Sequence, residues 1–300
     1  MTTEVRVSER WLALREPADA SARARDLVEE LGRHLPATGR LVIHDLGCGT
    51  GAMARWLAPL LPGPQRWFLH DRDHDLLDAA TVCLPGPAAD GAAVTVETTQ
   101  TDINLLDSRA LVGATLITAS ALLDMLTAEE VARLARVCVA TACPALLTLS
   151  VVGRVELTPA ELLDRRVAAA FDAHQRRTTE RGRLLGPDAP AVAIEEFGRL
   201  GAHVLERASP WRLEALNADL ATEWFAGWVS AACEQEPELA ALTDAYRRRR
   251  LAEATAGLLT VTVGHADLLV LPRQPPSARS HPADSGTSSV CAPLAAFVAR

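Results

Sequence analysis

The stretch Asp45-Leu46-Gly47-Cys48-Gly49-Thr50-Gly51 decides the fold. It follows a short apolar run, Leu41–Leu46, and it leads into residues 51–60, whose apolar spacing predicts a helix. A buried strand, a glycine turn and a helix open a βα unit. The glycines permit a tight turn and a close approach of backbone to a ligand, beside the unpaired N–H groups of a helix start. The dinucleotide fingerprint is G-x-G-x-x-G. Here the third glycine comes one residue early, and Asp45 precedes the loop. A carboxylate at that place repels a pyrophosphate and suits a cationic ligand. Asp71 stands 20 residues past Gly51, where such folds carry the carboxylate that binds a ribose. The ligand reads as a nucleoside with positive charge.

Outward from the loop, strands and helices alternate up to about residue 152. Strands are predicted at 41–46, 67–70, 94–97, 114–119 and 145–152, with a helix at 73–83. A T-x-x-E capping box at Thr127–Glu130 opens another helix. Repeated βα units imply a doubly wound, mostly parallel sheet covered on both faces. Before the loop, residues 8–34 read as one helix. Beyond 152 the pattern changes. A second box, Thr158–Glu161 with Pro159 at the first helical position, predicts a helix running to about Thr179. A loop at 181–190, a helix at 191–199 and a sixth strand at 202–206 follow. Leu213, Leu216, Leu220, Trp224 and Trp228 share a helix face, and another helix covers 238–255. Residues 258–263 and 266–271 resemble one long strand interrupted at Gly264-His265.

The series D-L-G-C-G-T-G, Asp71, Thr101-Asp102-Ile103 and Leu116-Ile117-Thr118-Ala119-Ser120 resembles the motifs of class I (Rossmann-like) S-adenosylmethionine-dependent methyltransferases, over residues 40–152. The resemblance implies an α/β fold: a seven-stranded, mostly parallel sheet with a terminal antiparallel strand, here with a helical cap. It implies S-adenosyl-L-methionine as cofactor; from the residue spacing no metal is expected. Gly47, Gly49 and Gly51 would wrap the methionine part, with Asp45 fixing its ammonium. Asp71 would accept the ribose hydroxyls, with Arg72 beside the adenine. Asp102 would receive the adenine amino group and Ile103 would flank the ring. The Ala119 carbonyl and Ser120 would close the methionine end.

Methyl transfer from a sulfonium needs positioning and exclusion of water, and a base only where the acceptor must lose a proton. Asp124, after the fourth strand, is a candidate base or amine-binding group, and His174, on the helix of the inserted segment, is a candidate base. His265 is a further candidate, or a hydrogen-bonded structural histidine. Arg15, Asp19 and Arg23 either line the entrance to the site or form a solvated face. Trp211, Trp224 and Trp228 either wall a flat or cationic acceptor or pack the cap onto the core. Residues 247–250, four arginines in a row, read as a solvated helix face.

The 300 residues carry 30 basic and 38 acidic side chains, a net charge of −8, which disfavours nucleic acid as a partner. The chain contains no lysine, so Schiff-base chemistry, a pyridoxal phosphate anchor and a phosphate-gripping P-loop lysine are excluded. The six cysteines form no C-x-x-C pair and have no zinc spacing. With no apolar leader and no 18-residue apolar run, no membrane is expected, and a cytoplasmic location fits. The expected organisation is an N-terminal helical segment over the cofactor site (1–38), a cofactor-binding core (39–155), helical cap insertions interleaved with the last two strands (156–273) and a mostly disordered tail (274–300). The expected activity is methyl transfer to a small molecule by a monomer or homodimer. Two alternatives stand beside it: a nucleic-acid or protein methyltransferase on the same core, and a catalytically silent partner subunit that binds cofactor.

Overall fold

The structure, a computed structural model, describes residues 7–273. The expected C-terminal tail, 274–300, lies outside the described residues. In chain order the elements are α1 (Glu9–Ala22), α2 (Arg25–Gly32), β1 (Leu41–Leu46), α3 (Ala52–Leu57), β2 (Gln65–Asp71), α4 (His74–Val82), β3 (Val94–Gln100), β4 (Leu116–Ser120), α5 (Ala128–Ala140), β5 (Ala145–Thr158), α6 (Leu162–Gln175), β6 (Thr178–Thr179), β7 (Gly182–Arg183), α7 (Ala189–Arg199), β8 (His203–Ala208), β9 (Trp211–Leu213), α8 (Ala218–Gln235), α9 (Ala240–Thr255) and β10 (Thr260–Leu271). The main sheet runs β3-β2-β1-β4-β5-β10-β8, with β9 added beside β10. Strands β1 to β5 pair in parallel. The last strand, β10, runs antiparallel between β5 and β8. This is the doubly wound, mostly parallel sheet expected, with β9 as an eighth strand. Its order reverses between β1 and β4, the place where such sheets open a crevice at the carboxyl ends of their strands.

Side-chain alternation builds the two layers. Leu116, Leu146, Leu269 and Leu271 point into a core with Leu27, Leu31, Trp67 and Leu77. Their neighbours Ile117, Leu147, Leu268 and Val270 point the other way, onto Val131, Leu134 and Phe197 of α5 and α7. On this second face the β3–β4 crossover contributes only a 3-10 turn, Ile103–Leu105. The sheet there stays open as a cleft of about 660 Å³ lined by His44, Phe68, His70 and Thr101. A third core joins α1, α6, α8 and α9 to β9 and the far half of β10, and includes Trp211, Trp224 and Trp228. The tryptophans therefore pack the cap.

Several local expectations are corrected. The helix expected over 8–34 is broken at Arg23-Ala24, because the buried Asp267 carboxylate takes the Ala24 N–H at 2.8 Å. The box at Thr127–Glu130 forms as expected, with both reciprocal bonds present. The one at Thr158 does not. Thr158 pairs with Thr260 in the ladder, so the strand continues and α6 starts at Leu162 under a box made by Glu161 and Asp164. That helix ends at Gln175, and Thr178–Thr179 turns into a small hairpin with Gly182–Arg183. Leu213 lies in β9 and Leu216 is fully exposed, so the helix face starts only at Leu220. The long last strand is interrupted where expected, by a register shift between Val263 and His265.

The arginine run is not a solvated face throughout. Arg250 is 0% exposed, donates to both Asp164 oxygens at 2.9 and 2.8 Å, and reaches Glu253 at 3.0 Å.

Candidate functional site

The glycine loop sits at the carboxyl end of β1, and all three of its glycines have positive φ. At Gly49, with φ +53°, a Cβ would also stand 3.0 Å from Leu12 Cδ1 of α1. A side chain there is strained by the backbone conformation and crowded by the Leu12 side chain of the helix lying over the loop. Glu16 fastens α1 in that place through two bonds to Arg55 of α3, at 2.7 and 2.6 Å. Asp71, at the end of β2, is tied to the loop: Oδ2 accepts the Gly49 N–H at 2.8 Å and Oδ1 the Asp73 N–H at 3.0 Å. Each oxygen keeps a lone pair for a further donor.

Asp45 is 1% exposed. Register places it directly beside Thr118 of β4, whose hydroxyl donates to Oδ1 at 2.7 Å. Its Oδ2 is buried without a partner. Burial pushes its carboxyl up to about 7, against the Thr118 hydrogen bond and the positive field of Arg23. A half-satisfied buried carboxylate is costly, and an incoming cation completes it. Asp45 and the glycine cradle thus fit the ammonium end of an adenosyl sulfonium amino acid. Ala119 and Ser120 end the neighbouring strand. The Ser120 hydroxyl accepts from Thr148 Oγ1 at 3.0 Å and from Arg23 Nη2 at 3.0 Å. Asp102 caps the short turn that carries Ile103, accepting the Asn104 N–H at 2.9 Å. Arg72 is exposed after β2, and its carbonyl accepts from Gln100 Nε2 at 3.0 Å.

A buried polar layer continues from the loop under α1. Arg15 and Asp19 pair at 2.9 Å, the Trp211 indole N–H donates to Asp19 at 2.9 Å, and the Arg15 guanidinium lies 4.9 Å from the Trp211 ring centre. His265 stacks at a tilt on Trp211, 5.2 Å between ring centres; burial first, then the nearby Arg15 charge, hold it down to about 3. Asp124, half-buried in the turn after β4, is pushed up to about 6 by desolvation, opposed by its own backbone N–H and by the charges of Arg15 and Arg177. The field of Arg15, a member of that layer, reaches it. His174 does not join this assembly. Its Nε2 lies 3.3 Å from Glu234 on α8, so the ring belongs to the α6–α8 seam.

The structure therefore brings together Asp45, Gly47, Gly49, Gly51, Asp71, Ala119 and Ser120 at one crevice, with Asp124 in the turn that follows β4. Motif reading missed Thr118 as Asp45's partner, Thr148, and Asp267, which shapes the approach of α1. It left Arg23 and Asp19 undecided; both are buried. Apart from the Arg15–Asp19 pair, their partners Ser120, Thr148 and Trp211 lie more than 90 residues away in sequence, and no local pattern announces them.

No family model matches the sequence, and no curated protein matches it. Similar solved structures exist. The cyclopropane synthase MmaA2 from Mycobacterium tuberculosis is 12% identical over 87% of this chain and 94% of its own, with a TM-score of 0.47. The mycolic acid cyclopropane synthase CmaA1, complexed with SAH, is 13% identical over 87% and 94%, with a TM-score of 0.46. The plantazolicin methyltransferase BpumL, also in complex with SAH, is 13% identical over 88% and 86%, with a TM-score of 0.38. The fold assignment rests on the strand order itself.

Proposed function

We propose that the protein is an S-adenosyl-L-methionine-dependent methyltransferase that acts on a small molecule. One observation carries the reading: Asp45 Oδ2, buried and without a partner, beside a loop whose three glycines all have positive φ. A phosphate-linked nucleotide would meet repulsion at that atom, and a cationic nucleoside meets attraction. When bound, the cofactor supplies a methyl group already activated on its sulfonium. The chain's own residues bind, orient and exclude water. Asp45 holds the ammonium, Asp71 accepts ribose hydroxyls, and Asp102 and Ile103 take the adenine edge and face. The carbonyl of Ala119 and the hydroxyl of Ser120 bound the methionine end. The roof formed by α1 keeps water out.

Asp124 is the acceptor-side base. Its raised affinity for protons puts it near working pH, where taking a proton from an acceptor O–H or N–H is easiest. The small-molecule reading is supported by the cap, whose tryptophans are packed in its own core, and by the acidic net charge. Five free cysteines among the described residues support a reducing, cytoplasmic compartment. No described helix is long and apolar enough to cross a membrane.

Calorimetric titration with S-adenosylhomocysteine tests the cofactor reading, and absence of binding overturns it. Incubation of the protein with extract and methyl-labelled cofactor tests the acceptor. Label in small molecules is the expected result. Label in macromolecules restores the nucleic-acid or protein alternative, and no label favours a silent subunit.

A further inference from the structure

The sheet face left open by the β3–β4 crossover carries a row of flat side chains. The Arg66 guanidinium lies 4.7 Å from the Phe68 ring centre, Phe68 lies 4.8 Å from His44 at 19°, and His44 lies 5.2 Å from His70 at 11°. Alternation puts them together: Arg66, Phe68 and His70 are every second residue of β2, and register sets His44 of β1 beside Phe68. The row lines the cleft of about 660 Å³. Leu105 and Val112 of the crossover also line it, although they are 80% and 78% exposed. None of the residues placed in the glycine-loop crevice does so.

The row also holds an unfinished hydrogen bond. His44 Nδ1 and His70 Nε2 are 3.0 Å apart, so one donates and the other accepts. His70 is 4% exposed, and its Nδ1 is buried without a partner. Burial holds both rings below the ordinary histidine range, His44 at about 4, so neither is charged near neutrality. His70 Nδ1 is a donor when Nε2 accepts and an acceptor when Nε2 donates. The charged side chains of the lining are already engaged. Arg66 donates to Glu97 at 2.8 Å, and Asp107 Oδ1 accepts the Arg109 and Ala110 N–H groups at 2.9 and 3.1 Å. A charged occupant would surrender water without gaining a counter-ion. A flat neutral ring system would extend the row and cover Leu105 and Val112. A hydroxyl on it suits His70 in either tautomer, because a hydroxyl both donates and accepts. The volume is that of a small-molecule site and is more than a single ring fills.

We propose that this face is a second ligand site, separate from the glycine-loop crevice, for an uncharged fused-ring aromatic molecule that lies along the Phe68–His44–His70 row and completes the histidine pair with a hydroxyl. The inference stands independently of the cofactor reading. Its specificity comes from shape and from one hydrogen bond, and charge on the ligand counts against binding.

The test titrates the full chain, observed by NMR, with 2-naphthol, with naphthalene, which lacks the hydroxyl, and with 2-naphthoate, which is charged. 2-Naphthol is expected to bind about fivefold or more tightly than either. His70→Phe keeps a flat ring and removes the nitrogen, and is expected to bring 2-naphthol down to the affinity of naphthalene. Leu105→Asp, at an exposed position that folding does not depend on, is expected to weaken 2-naphthol by about fivefold or more. Saturating S-adenosylhomocysteine is expected to leave 2-naphthol in place. No binding of 2-naphthol, equal affinity for all three probes, an unaffected Leu105→Asp variant, or displacement by S-adenosylhomocysteine overturns the proposal. The comparison of probes and Leu105→Asp keep it testable even if His70→Phe fails to fold. Sedimentation of the unaltered protein and of Leu105→Asp supplies one more check: a dimer that this change splits would assign the face to a second copy of the chain and refute the ligand site.

Discussion

Asp45 faces two opposed demands. Desolvation favours its neutral form, while any cation arriving at Oδ2 favours the carboxylate. Binding therefore expels a proton from the fraction that is protonated. Affinity for S-adenosylhomocysteine is expected to rise from pH 6 to pH 8, through the value of about 7 held by the free protein. Calorimetry in buffers of different ionisation enthalpy will detect the released proton. Asp45→Asn should remove that pH dependence and weaken binding by ~1.5–3 kcal/mol, the range for hydrogen bonds to charged groups. Asp124→Asn should separate binding from chemistry: turnover falls by ~10²–10⁴ while affinity for S-adenosylhomocysteine is unchanged. Unchanged turnover would remove Asp124 from the reaction. At this scale the sequence is legible where chemistry is local. Asp45, the three glycines and Asp71 lie in one βα turn and the next strand end. Arg23, Thr118 and Asp267 were not assigned partners, because each acts across a contact that only the folded sheet creates.

The helical layers carry their own logic. The break between α1 and α2 looks like uninterrupted helix in sequence, since Ala-Arg-Ala-Arg offers no breaker. It breaks because the helix would leave Asp267 short of a donor. That carboxylate accepts from the Leu149 N–H at 2.8 Å, the Ser209 hydroxyl at 2.5 Å and the Ala24 N–H. Thr158-Pro159-Ala160-Glu161 has the spelling of a cap, but the β5–β10 ladder claims Thr158 first. The four arginines at 247–250 differ sharply in cost of removal. Arg250→Ala strands Asp164 among buried groups and should destabilise the protein by ~3–5 kcal/mol. Arg249→Ala removes a half-exposed pair with Glu161 and should cost less than ~1 kcal/mol. Urea denaturation of the two variants checks this, and equal midpoints would contradict the buried placement of Arg250.

Across the whole molecule, two sets of buried groups act oppositely on stability. Burial raises Asp45 to about 7, and Asp124 and Asp172 to about 6. The folded protein retains protons that the unfolded chain has lost, so these groups favour folding at low pH and cease to do so as pH rises from 3.8 to about 7. Burial lowers His44 to about 4 and His265 to about 3. Here the unfolded chain holds the extra proton, so their contribution is present above 6.5 and is lost on acidification toward 3. The two slopes oppose one another between pH 4.5 and 6.5, and Tm should vary little there. Asp45→Asn combined with Asp124→Asn should leave the histidine slope exposed, with Tm falling on acidification. A double variant with a flat profile would contradict this. The alternation of strands and helices was legible because hydrophobic runs are punctuated by turn residues, whereas the order of the strands appeared only in the folded sheet. The open sheet face above His44 and His70 was not legible, because it depends on a helix that the β3–β4 crossover omits.

Leu12 rests on Gly49, and two turns further along the same face of the helix Asp19 is bolted to Trp211 of β9. Gly47 and Gly49 are only partly exposed beneath that helix, and a ligand is expected to settle on them after the helix has swung clear. Swinging it breaks the Glu16–Arg55 latch, and the arrival rate then acquires a ceiling. In stopped-flow mixing the observed rate should climb with ligand concentration and level off at the rate of lid opening. Glu16→Gln, which loosens the latch without touching the cradle, should lift that plateau. A plateau of that kind would mean that the door, and not the diffusion of the visitor, sets the pace of admission.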